Sequence, residues 1–399
     1  MINNLDEINA IKFKPLHAKK KKFNIIFIYV CFILLYIIIF IYFILINKKL
    51  DKIQVSNLAN NDNIKSLKDN MSIVIKNLES KSKNKDNLEI NHNDNEIFNE
   101  NINMKIKENQ HHFCRTSTLF YDPEIENLIK MKYINFQNIS FNMFIYKKND
   151  AVSLSIKNTG AHEIDSTNNI LKCLNFFELK KKLPKKEITI IDLGANIGWY
   201  SFLLGKAGYE IFSFEVSKIN NYILKKNFCK NKDINITIIN KGIGLEEEKC
   251  LLHHPKGNIG NGVILCGEKT NIPYTSKGFT EDITFTRLSN YISFLSQKNL
   301  ALIKIDIEGS EGKAFESGKE LITKYHIPFI FTEFCVDYLK MQGTDPRIFL
   351  ENFEKNGYKF SIVDFLSNKF LSIDSVLKLS TTNLYINLYM IYYEFLIKN

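Results

Sequence analysis

The stretch ITIIDLGANIGWYS, residues 188–201, decides the fold. Ile188, Thr189, Ile190 and Ile191 have the character of a buried strand, and Asp192 ends the run. Gly194, Asn196 and Gly198 then form a turn, and Tyr200, Phe202, Leu203 and Leu204 open a helical pattern. A strand that enters a glycine turn and leaves as a helix sets the helix's first amides at the carboxyl edge of a parallel sheet. Open α/β sheets bind ligands at that edge. Glycines let the backbone approach a ligand closely. An acid at the strand end suits a ligand group that is cationic or bears hydroxyls. The turn therefore fits a nucleoside with a charged tail, S-adenosylmethionine (SAM), better than a pyrophosphate. The spacing of Gly194-Ala-Asn-Ile-Gly198 also departs from the G-x-G-x-x-G that an NAD-dependent oxidoreductase would carry.

Two later segments repeat the strand-then-acid pattern. Residues 210–215, EIFSFE, form a short apolar strand closed by Glu215, placed where a carboxylate grips a ribose diol in dinucleotide folds. A helix is expected over 220–227 and a third strand over 234–240, followed by the Lys241-Gly242-Ile243-Gly244 turn, where Gly242 would border an adenine. Residues 300–311, LALIKIDIEGSE, run into a dense acidic cluster. Strand alternation would put Lys304, Asp306 and Glu308 on one side and Ile303, Ile305 and Ile307 on the other, with Glu311 after Gly309. Unpaired buried charge is costly, so these acids either form a network with Lys304 or face a polar pocket. Glu333, after the strand-like residues 328–332, adds another acid at the same edge.

These motifs resemble the FkbM family of SAM-dependent methyltransferases. The family's D-x-G-A-N-x-G stands at residues 192–198, its acidic second strand at Phe214-Glu215, and its K-I-D-x-E-G-x-E at residues 304–311. The likeness covers residues 158–358 and implies a doubly wound, mostly parallel α/β sheet. It also implies SAM as cofactor and a hydroxyl-bearing methyl acceptor. On this reading Asp192, Gly194, Asn196, Gly198, Glu215 and Gly242 bind SAM, and Asp306, Glu308 and Glu311 do the chemistry. A carboxylate would take the proton of the attacking hydroxyl, or a divalent cation would acidify it, although no metal-ligand set is indicated. His253–Gly262, HHPKGNIGNG, resembles the family's Asn/Gly loop near the acceptor and is too glycine-rich for helix or strand. The family's lead-in element ends in Gly-x-x-Glu, with His162 in the usual aromatic place before Glu163. One departure is Ser289, which replaces the first acid of a Leu-Asp-Asp-like turn. It keeps a catalytically lapsed binding module in play as the alternative.

All 17 glycines fall between Gly160 and Gly357, which marks off the catalytic part. The organisation expected is a cytosolic tail at 1–22, a transmembrane signal anchor at 23–46 and a low-complexity stem at 47–112. A lead-in with a β-hairpin and a helix at 113–187 and a methyltransferase domain at 188–399 complete it. The hairpin is expected from 133–146 and 151–156, the helix from 165–179, and a last helix or strand from 376–399. Residues 23–46 are apolar except for Asn24, and at about 1.5 Å per residue they can cross a bilayer core of about 30 Å. Lysines at 12, 14 and 19–22 outnumber those just after the span, which sets the type II orientation of an ER or Golgi protein with a luminal catalytic domain. Residues 51–112 hold no Gly or Pro and too little apolar surface for a core. The net charge of +10 comes from scattered lysines without a basic stripe interleaved with aromatics, so no nucleic acid is expected as partner. The seven cysteines show no CxxC pair and no disulfide framework. Sequons stand at Asn70, Asn138 and Asn235, the last at a core strand.

Overall fold

A computed structural model describes residues 107–108, 110–115, 122–260, 262–266 and 278–398, all within one compact unit, Ile90–Asn399. The expected anchor at 23–46 and nearly all of the stem lie outside the described residues. Among the described residues, no helix is long and apolar enough to cross a membrane.

After a helical segment at residues 110–115, the chain runs through helix α1 (Pro123–Leu128) into the antiparallel hairpin β1 (Ile129–Phe136) and β2 (Ile139–Tyr146). Gln137 and Asn138 turn it with φ of 48° and 65°, the left-handed pair that two-residue hairpins need. Residues 151–156, expected as a strand, instead belong to helix α2 (Ala151–Thr159). Asp150 caps that helix by accepting the Ser153 amide, and Ser153 and Ile156 form its buried face. Helix α3 (Ile164–Lys181) follows with Ile170, Leu171, Leu174 and Phe177 buried, as their spacing requires.

The central sheet begins at β3 (Ile188–Leu193) and continues through α4 (Trp199–Lys206), β4 (Glu210–Phe214), α5 (Lys218–Lys230) and β5 (Ile236–Ile239). A smaller sheet is inserted next, from β6 (Gly242–Ile243), β7 (Lys249–Pro255), β8 (Val263–Leu265) and β9 (Gly278–Thr286). His253 and His254 therefore sit in a strand, not in the glycine loop, which starts after Pro255. The chain returns through the short α6 (Ile292–Leu295) to β10 (Asn299–Ile305), then α7 (Glu311–Ser317), α8 (Lys319–Thr323) and β11 (Phe329–Phe334). The end is α9 (Val336–Met341), α10 (Pro346–Lys355), β12 (Tyr358–Ser361), α11 (Ile373–Thr382), β13 (Ile386–Tyr392) and α12 (Tyr393–Ile397).

Seven strands pair in the order β12-β13-β11-β10-β3-β4-β5, parallel except for β13. All six residues of β3 are buried, as expected of a parallel strand covered on both faces. Ile190, Ile211, Leu302 and Phe331 pack with α3, α4 and α5 on one face. Ile191, Phe212, Ile303 and Ile330 pack with α7, α8 and α10 on the other. The strand order reverses at β3, whose neighbours are β4 on one side and β10 on the other, and the crevice opens there. Two disulfides that the cysteine spacing did not reveal tie the periphery down. Cys114 joins the segment before α1 to Cys229 in α5, and Cys250 joins Cys266 across the β7–β8 edge.

Candidate active site

Gly194, directly after β3, has φ +78°, and a Cβ there would lie 1.9 Å from the Asp306 carbonyl oxygen. Gly198 has φ +98°, and its Cβ would strike Leu224 and Phe202 at 2.6 Å. Both glycines are thus demanded by close approach of protein to protein, and at Gly194 that approach brings the turns after β3 and β10 together. An open cleft of about 690 Å³ lies over this junction. Gly194, Asn196, Glu215, Gly242, Asp306 and Glu308 line it, with Phe214, Val216, Ile243 and Phe285 forming an apolar wall. Gly242 carries no side chain because the Phe285 ring stands 2.6 Å from where its Cβ would be.

Glu215 is buried, and its two carboxylate oxygens accept the Asn196 and Ser217 amides at 2.7 and 2.8 Å. Burial pushes its pKa up to about 7, against the pull of those amides. Asn196, φ +52°, accepts the Ile197 amide on its Oδ1 and donates from Nδ2 to the Gly260 carbonyl at 3.1 Å. Helix α4 starts at Trp199 with Gly198 as its N-terminal cap, and no side chain caps it. Asn220 donates to the same carbonyl at 2.8 Å and accepts the Tyr146 hydroxyl at 2.7 Å. Sequence reasoning passed over Asn220 and Tyr146, since neither belongs to a motif.

Lys304 sits at the back of the junction, buried beside Asp192 in register on β3. Its Nζ donates to the Gly194 carbonyl at 2.7 Å and lies 3.5 Å from Asp192 and 3.3 Å from Asp306. Burial opposes the ammonium, but Asp306, Asp192 and Glu163 outweigh it and hold its pKa above the ordinary lysine value. Asp192 also accepts the Ser201 hydroxyl at 2.6 Å. Strand β10 ends at Ile305 and Glu308 has φ +56°, so simple alternation does not extend to Glu308. The turn itself brings Asp306 and Glu308 together with Glu333 of β11, one carboxylate oxygen of each lying within 4.8 Å of the others. Burial, and then the charges of Asp306, Glu308 and Glu163, hold Glu333 well above the usual carboxylate range. Glu163 accepts the Tyr200 hydroxyl at 2.7 Å and faces His162 at 3.4 Å, and its pKa lies below the ordinary value. Burial works against that shift, and His162, Tyr200 and Lys304 produce it.

Asp192, Gly198 and Glu311 stand apart from the cleft lining. Asp192 serves the Lys304 network. Glu311 is buried and accepts the Ile307 and Gly309 amides at 3.2 and 3.3 Å, so it shapes the turn that carries Asp306 and Glu308. Burial raises its pKa to about 7. Glu311, expected to act chemically, and Asp192, expected to touch the cofactor, hold these positions behind the cleft lining. Ser289 accepts from Arg287 Nε at 3.1 Å on a short turn and does not line the cleft. His253 and His254 lie on β7 beneath the loop that lines the cleft through Gly260.

Residues 192–360 match the family model described as Methyltransferase FkbM domain. No curated protein matches the sequence. Among solved structures, the bifunctional kinase-methyltransferase WbdD is similar at 12% identity and a TM-score of 0.36, over 60% of this chain and 41% of that one. The METTL16 MTase domain is similar at 12% identity and a TM-score of 0.30, over 68% of this chain and 89% of that one. The 16S rRNA N2 G1207 methyltransferase RsmC of T. Thermophilus, solved with AdoMet and guanosine, is similar at 9% identity and a TM-score of 0.30. That likeness covers 66% of this chain and 50% of that one. The chain spans less than half the length of WbdD. The family model matches residues 192–360, less than half of the chain, and it is that segment which is similar to a methyltransferase FkbM domain.

Proposed function

We propose that the protein is a SAM-dependent O-methyltransferase, held to a membrane by residues 23–46, whose acceptor is a hydroxyl on a glycan, lipid or small metabolite. The observation that carries the reading is a single cleft at the strand-order switch, with Glu215 at one end and Asp306 and Glu308 at the other. The residues fit SAM. Glu215 offers a buried carboxylate to a pair of ribose hydroxyls, and Phe214, Val216, Ile243 and Phe285 offer an apolar wall to a flat heterocycle. Asp306 offers negative charge to a cationic tail. When bound, SAM supplies an electron-poor methyl carbon, and its transfer to a hydroxyl oxygen releases the hydroxyl proton.

The chain's own residues then have to orient the hydroxyl and take that proton. Burial and the charges of Asp306, Glu308 and Glu163 favour the protonated form of Glu333, which in this reading would donate to the acceptor molecule. Proton acceptance falls to Asp306 and Glu308, whose oxygens lie within 4.8 Å of Glu333. Lys304 fixes Asp306 from behind. Asp306→Asn and Glu308→Gln keep the shape but accept a proton poorly. Turnover in at least one of them should fall by roughly 10²–10⁴ while the fold survives. A loss of melting temperature in proportion to the loss of rate would reassign the pair to stability.

Two disulfides support placing the domain in an oxidising compartment, since such bonds are rare in the cytosol. With the lysine bias around 23–46, they favour a type II protein of the ER or Golgi, its catalytic part luminal.

A further inference from the structure

His254, at the end of β7, is fully buried. Its Nδ1 donates to the Ile259 carbonyl at 2.8 Å, across the turn 255–259, and its ring stacks on Phe279 at 4.6 Å between centroids. Its Nε2 lies 2.6 Å from Glu281 Oε1. The other oxygen of Glu281 accepts the Lys218 amide, the first of helix α5, at 2.9 Å. One carboxylate therefore ties the small sheet to the helix that carries Asn220, and one imidazole ties the loop to that carboxylate. The same loop presents the Gly260 carbonyl to Asn196 and Asn220, and Gly260 lines the cleft. The outer side of the loop is fastened too, by the Ile259 amide on the Asn149 carbonyl at 2.7 Å and the Ala151 amide on Asn258 at 3.2 Å.

We propose that His254 and Glu281 are positioning residues, a clasp that sets the loop 255–260 as one wall of the SAM cleft. The proposal rests on reading that cleft as the SAM site. His254 is too deeply engaged to shuttle a proton for the acceptor, because both ring nitrogens are bonded and the ring lies under Phe279. Its influence reaches the ligand through Gly260, Asn196 and Asn220.

The side chains dictate the variants. In Glu281→Gln the amide nitrogen can donate to Nε2 of a neutral imidazole, and the amide oxygen can still accept from Lys218. Both bonds survive. In Glu281→Ala and His254→Ala they do not. Hydrogen exchange of the amides in 256–260, measured on the full chain without ligand, should accelerate at least tenfold in both alanine variants and stay near wild type in Glu281→Gln. The dissociation constant for SAM, measured by calorimetry, should rise about tenfold in the alanine variants and less than threefold in Glu281→Gln. At saturating SAM, turnover should stay within a few-fold of wild type. Unchanged exchange and unchanged SAM affinity in folded alanine variants would overturn the clasp. So would unfolding of both alanine variants, which would make the pair part of the fold. A fall in turnover at saturating SAM with unaltered affinity would make His254 a chemical participant instead. The exchange measurement needs no cofactor, so it judges the clasp even if the wild-type chain takes no SAM.

Discussion

Glu215 concentrates the chemistry of the cofactor cleft in one side chain. Both its oxygens hold backbone amides of the turns that build the cleft, and burial lifts its pKa to about 7. Ribose hydroxyls would donate to the ionised carboxylate, so protonation competes with binding. Adenosine has no group that titrates near neutrality and is therefore a clean probe. Its affinity should strengthen by about tenfold between pH 6 and pH 8, as the ionised fraction climbs from about a tenth to about nine-tenths. Glu215→Ala should weaken SAM binding by roughly tenfold or more at pH 8, for the loss of a charge-assisted contact of about 1.5–3 kcal/mol, and should remove the pH dependence. A flat adenosine profile in the wild type would rule out Glu215 as the ribose carboxylate. For stability the sign runs the other way. Folding raises the pKa of Glu215 and Glu311, so both favour the folded state at low pH, and that contribution is lost as pH rises towards about 7.

Between β3 and β10 the decisive contact is Lys304, which binds Asp192, Asp306 and the Gly194 carbonyl at once. Removing one member of a buried charge group strands the others, so Lys304→Met should cost about 3–5 kcal/mol, read as a large fall in urea midpoint at unchanged slope. A loss under about 1 kcal/mol would show that Asp192 and Asp306 do not depend on it. Much of this part of the fold was legible in the sequence. Glycine, acid and apolar strand coincide at residues 188–198 because the close approach of two backbone turns admits no side chain at Gly194. The lead-in was less legible. Val152, Leu154 and Ile156 alternate like a strand, yet the Asp150 cap and the burial of Ser153 and Ile156 make a helix that leaves Leu154 half exposed. The hairpin turn at Gln137 and Asn138 lacks the glycine that usually signals one. Asn220 and His254 were hidden for a different reason. Asn220 meets Tyr146 across 74 residues and His254 meets Glu281 across 27, separations beyond any local pattern.

The doubly wound sheet belongs to a chain whose apolar segment at 23–46, with nearly all of the expected stem at 47–112, lies outside the described residues. The type II reading makes a concrete demand. In sealed microsomes, added protease should trim only the short N-terminal tail. Asn138, exposed at the tip of the β1–β2 hairpin, should carry a glycan that an endoglycosidase removes. Digestion of the large domain without detergent would reverse the orientation. It would also remove the need for SAM on the luminal side. The disulfides were not legible because the pairs are 115 and 16 residues apart with no shared motif, and only the packing of the segment at 107–115 on α5 brings Cys114 to Cys229. The activity proposed for this chain depends on what enters the cleft at the strand-order switch. Calorimetric titration of the purified full chain with SAM and, separately, with NAD tests that most directly. The account predicts saturable one-to-one binding of SAM and no heat from NAD. Binding of NAD, or no uptake of SAM by a chain with an intact melting transition, would contradict it.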